Sequence, residues 1–117
     1  MYAYEGAFSD HEAHEWLERH SEEEGIALIH HAHDQGINIL DCWMADPKSR
    51  NIIGVGIKSC RDQWYIQGHI GSTWKDEQYF RTRDMAYVRP AFEDLLTRLQ
   101  TDYIDLGMIH YVDSEEE

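Results

Sequence analysis

The chain has 117 residues and sets 10 Lys+Arg against 23 Asp+Glu, a formal charge of −13. That charge argues against attraction to nucleic acid or to an anionic membrane surface. No apolar run approaches the roughly 18 residues of a membrane span, and the opening MYAYEGAFSD does not read as a signal peptide.

A hydrophobic content of 42% is ample for a core. Cys42 and Cys60 are too few and too isolated for a disulfide framework or a zinc site, so reduced thiols in the cytoplasm are expected. Residues 1–20 form an acidic, aromatic segment with His11, His14 and Trp16 in a possible short helix. Ser21 followed by Glu24 fits a capping box, opening a helix that runs to about Gln35 with Gly36 as its C′ residue. INILDCW is the first buried strand, residues 37–42. Asp46-Pro47 then opens a second helix that packs Ile52, Ile53 and Ile57 inward.

Residues 64–69 (WYIQGH) read as the next strand, and residues 71–84 as a loop. A third helix is expected from Met85 to Gln100, with Arg89-Pro90 in its first turn and Phe92, Leu95, Leu96 and Leu99 as its stripe. Residues 103–110 make the last strand, nearly continuous in apolar residues, as parallel sheets require. An acidic tail, residues 114–117, follows. Alternating helices and strands predict right-handed parallel crossovers.

Asp41, His69 and His110 each fall at or near the C-terminal end of a predicted strand. Neighbouring strands would bring the three onto one rim, where α/β barrels place their chemistry. The plainer explanation is that strand ends meet solvent and often carry polar residues. Trp74, Tyr79, Phe80, Arg81 and Arg83 of the loop can line a pocket for a carboxylate or phosphate, or simply cover the barrel mouth. His30 with His33, and His11 with His14, have a metal-capable spacing but no evident third ligand. Cations also suit a helix C-terminus, and no metal is assigned.

LQTDYIDL followed by IH, with GINILD, Ile53-Gly54, Ile57-Lys58 and Arg61 upstream, resembles the aldo-keto reductases over residues 21–113. The resemblance implies a partial TIM (β/α)8 barrel, about three parallel strands with outer helices. A whole barrel needs roughly 250 residues, so truncation is expected on the C-terminal side and on the N-terminal side.

It also implies NADPH- or NADH-dependent reduction of a small-molecule carbonyl, or the reverse. In the family a tyrosine donates the proton, an aspartate and a lysine tune it, and a histidine orients the carbonyl. Asp41 matches the aspartate and His110 the histidine; Asp46 stands at the tyrosine position and His69 at the lysine position. A carboxyl near 3.9 has normally lost its proton at neutral pH, whereas a histidine titrates close to it. The expected catalytic set is therefore Asp41, His69 and His110, with His69 as the acid, against a site that is inactive. Trp43 and Trp74 are the candidate substrate-binding residues; no cofactor-binding residue is assigned. The competing expectation is a non-catalytic partial barrel that self-associates through its open strand edges or pairs with a complementary chain.

Overall fold

In a computed structural model, the structure describes residues 15, 18–43, 45–109, 112 and 114. Ser21 accepts a hydrogen bond from the Glu24 amide at 3.2 Å and opens α1, Glu22–Asp34. The helix closes on Gly36, whose φ of 93° suits glycine. There the Gly36 amide donates to His33 and the Ile37 amide to Ala32, the pairing of a Schellman motif.

β1, Ile39–Cys42, leads to α2, Pro47–Ile57. Asp46 caps α2, its Oδ1 accepting from the amides of Lys48 and Ser49. A 3₁₀ stretch, Lys58–Gln63, leads to β2, Tyr65–Ile70. α3, Met85–Leu99, is capped by Asp84, and β5, Leu106–Ile109, follows it.

The main sheet has the order β1-β2-β5, parallel throughout. Alternation along each strand divides its two faces. Leu40, Cys42 and Ile66 pack with Ile29, Ile52, Ile57, Leu95 and Leu99, so all three helices cover one face. A side chain at Gly68 would meet Leu95 and Ile104, which places it on that same face. Ile39, Asp41, Tyr65, Gln67 and His69 alternate onto the other face, the inner face of a barrel. The register sets Leu106 beside Gln67 and Met108 beside His69.

Three expectations change. Residues 71–84 contain an antiparallel hairpin, β3 (Ser72–Lys75) with β4 (Gln78–Arg81), rather than a simple loop. Its two-residue turn, Asp76-Glu77, has φ of 52° and 60°, the signs a primed turn requires. Pro90 sits in the second turn of α3, not the first. Its missing donor removes the regular bond to the Ala86 carbonyl, and Ala86 is exposed to water. The last strand starts at Leu106, not at residue 103, because the Asp105 carboxylate takes over a sheet bond. Its Oδ2 accepts from the Ile66 amide at 2.9 Å.

Candidate functional site

β1 and β2 run parallel with Asp41 opposite Gln67. One further step of two residues along β2 puts His69 on the same face, diagonal to Asp41. The two side chains meet: His69 Nε2 lies 2.7 Å from Asp41 Oδ1. Their surroundings differ, with His69 only 5% exposed at its side chain and Asp41 49% exposed. The imidazole is thus shielded while its carboxylate partner remains open to solvent. Such a pair holds one ring nitrogen in a fixed direction.

His110 lies outside the described residues, as does Met44. Trp43, half-buried, follows β1 directly at its C-terminal end. Trp74 stands elsewhere: it lines a cavity against α2 and α3 that neither Asp41, His69 nor Trp43 touches. Asp46, at the tyrosine position, is 6% exposed and spent on capping α2. A carboxylate that accepts two helix amides is held as an acceptor, which accounts for its presence without a proton-transfer role.

Neighbouring groups have structural work of their own. Arg61 donates to Thr101, to the carbonyls of Trp64 and Tyr103, and to Asp105. It also stacks 3.9 Å from the centre of the Tyr103 ring. The Arg61 and Asp105 of the signature therefore tie β5 to β2 at the end remote from His69. Cys42, beside Asp41 in sequence, is buried in the helix layer; burial, then the Asp41 charge, push its thiol up to about 12. His30 bonds the carbonyl of Gly56 at 3.0 Å, and His33 packs 5.2 Å from Trp64. These two histidines anchor α1 to its neighbours. No group of three or more metal-capable side chains occurs among the described residues.

The sequence reading missed the pocket on the helix side of the sheet. Its signal in the sequence is Arg98 one helical turn after Asp94, together with Arg50 of the preceding helix.

Comparison with known proteins agrees with this geometry. The chain matches the aldo/keto reductase family over residues 7–117. It is 38% identical over 96 residues to the aldo-keto reductase YhdN of Bacillus subtilis, covering 79% of this chain and 29% of that protein. The holo form of aldo-keto reductase AKR11C1 from Bacillus halodurans superposes with a TM-score of 0.67 at 27% identity. That match covers 76% of this chain and 31% of the other. Glycerol dehydrogenase AKR11B4 from Gluconobacter oxydans gives a TM-score of 0.67 at 28% identity, over 82% of this chain and 32% of the other. The chain thus spans under a third of the length of the curated relative it matches. With its parallel sheet, outer helices and matched signature, the chain belongs to the aldo/keto reductase family.

Proposed function

We propose that this chain supplies the proton-donating part of a nicotinamide-dependent carbonyl reduction, with Asp41 and His69 as its working pair. The carrying observation is their 2.7 Å contact on the inner face of the sheet. NADPH or NADH would supply the hydride to the carbonyl carbon. Nothing among the described residues is assigned to hold the dinucleotide; the rim residues suit the reacting end, because they offer a proton beside a shielded face.

Asp41 balances the imidazolium charge and keeps Nε2 in place. The proton that passes to the carbonyl oxygen as the alcohol forms leaves this pair, whose solvent-open member is Asp41. In the reverse direction the same pair accepts it. His110 is the proposed group for orienting the carbonyl, and Trp43, at the end of β1, the proposed apolar wall for a small substrate. Two free thiols favour the cytoplasm as the setting, and no described helix is long and apolar enough to cross a membrane.

The test is steady-state reduction of a small aldehyde with NADPH and with NADH by the whole protein. His69→Gln and Asp41→Asn should each lower kcat, by about 10²–10⁴-fold for loss of a general acid. A His69→Gln rate within twofold of the original would end this assignment.

A second reading has an observation of its own. Ile39, Tyr65, Leu106 and Met108, all on the inner face, are 39–56% exposed. A chain acting by association, with a second copy or a complementary chain, would cover them. It would then show partner-dependent solution mass and no dependence of turnover on His69.

A further inference from the structure

A cavity of about 300 Å³ lies on the helix side of the sheet, between the β3–β4 hairpin and the facing sides of α2 and α3. Its size is at the lower end of ligand pockets. Trp74 and Phe80 wall the hairpin side, and Tyr87 of α3 meets Phe80 edge-on with ring centres 5.7 Å apart.

The opposite wall is charged. Arg50, 3% exposed, donates from Nη1 to Asp94 at 2.8 Å and to the carbonyl of Ala91 at 3.0 Å. Arg98 donates from Nε to the other oxygen of Asp94 at 2.8 Å, and from Nη1 to Asn51 at 3.2 Å. One carboxylate therefore serves two guanidiniums. Lys75 adds a third cation at the rim, 5.6 Å from the centre of the Tyr87 ring. Among the described lining residues Asp94 is the sole carboxylate, so these residues carry excess positive charge in a chain whose net charge is −13.

A simple tie between two helices does not require this arrangement. Arg50 Nε is buried and finds no acceptor among the described residues, which is costly for a charged group. Burial, only partly opposed by Asp94, holds the Arg50 guanidinium below its ordinary range. An added anion would complete the charge balance that Asp94 leaves half done. Guanidinium pairs match the planar, two-oxygen geometry of a carboxylate, and flat rings pack well against aromatic walls.

We propose that this cavity binds a small organic carboxylate with a flat apolar body, its charge on the Arg50–Arg98 pair and its body against Trp74 and Phe80. The site is separate from Asp41 and His69 and does not depend on the reaction assigned to them.

Benzoate and its uncharged isostere benzamide are the probes. The ¹⁵N-labelled chain is titrated with each, following the indole N–H signal that disappears in Trp74→Phe. Benzoate should shift that signal saturably, and benzamide should bind at least about tenfold more weakly, as loss of one charge-assisted bond predicts. Arg98→Gln, at a side chain one-third exposed, should weaken benzoate by a similar factor and leave benzamide unchanged. Equal binding of the two probes, or no saturable shift with benzoate, overturns the proposal in the unaltered chain, whatever the variant does.

Discussion

Asp105 performs in one side chain what a regular strand does with backbone. Its carboxylate accepts the Ile66 amide and its own amide donates to the Ile66 carbonyl at 3.0 Å. Arg61 then holds the same carboxylate at 2.9 Å. Asp105→Ala should cost about 1–3 kcal/mol, because the Ile66 amide and one Arg61 donor lose their acceptor. Urea unfolding measures it. The Ile66 amide, followed by Arg61, draws this carboxyl below its ordinary range. Its stabilisation is therefore complete above the unfolded carboxyl's titration at about 3.9 and is lost as pH falls through the lower folded value. Asp105→Asn should lack that part of the acid loss.

Cys42 gives a second residue-scale outcome. With its thiol pushed up to about 12, almost no thiolate exists at pH 8. A thiol reagent should leave Cys42 unmodified in the native chain and label it once urea unfolds the protein. Labelling of Cys42 at the rate of a free thiol would mean that β1 does not pack as described. The approach of Asp41 and His69 was legible from sequence because each falls near the C-terminal end of a predicted strand; their common face follows from the pairing of Asp41 with Gln67, which the structure supplies. The part played by Asp105 was not, since an aspartate inside an apolar run gives no sign of which backbone group it will satisfy.

At the scale of elements, α2 and α3 approach each other through Gly54. A Cβ there would run into the carbonyl oxygen of Arg98 and come within 3.0 Å of Leu99 Cα. Both obstacles are backbone, so no side-chain rotation relieves them. Gly54→Ala should destabilise the chain by about 1–3 kcal/mol or more, read as a lower urea midpoint with an unchanged slope. An unchanged midpoint would contradict the close helix contact.

The helices were the most legible elements. Ser21, Asp46-Pro47 and Gly36 mark ends by side-chain capping or backbone freedom, both local properties. The hairpin was hidden for the same reason in reverse. Its turn is Asp76-Glu77, with neither the glycine nor the asparagine that normally announces positive φ. The sequence accordingly makes Trp74 a candidate substrate-binding residue on a loop, whereas β3 carries it to the cavity lined by α2 and α3. Pro90 was placed one turn early, because its cost depends on solvent at Ala86, which sequence does not display.

At the scale of the molecule, the helix-facing side is closed and the inner face is open. Ile39, Leu106 and Met108 stand there beside Tyr65 and Gln67, while Ile66 turns to the helices and is fully buried. Among the described residues β1 and β5 are the sheet's edges, each with one unpaired side. Exposed apolar surface and open edges both favour association. The charge of −13 opposes it, but salt near 0.15 M screens that repulsion beyond about 8 Å. The 117-residue chain alone should therefore scatter light as an oligomer at physiological salt. A sharply unfolding monomer of 13.8 kDa would show that this face is stable in water.

The central claim is that the Asp41–His69 pair delivers the proton of a carbonyl reduction. It is tested most directly by isotope transfer in the whole protein, using NADPH carrying deuterium at both C4 positions and a small aldehyde. We expect an alcohol with a single carbon-bound deuterium by mass spectrometry, formed at least about 10²-fold more slowly by His69→Gln. Formation of that alcohol at the original rate by His69→Gln would contradict it.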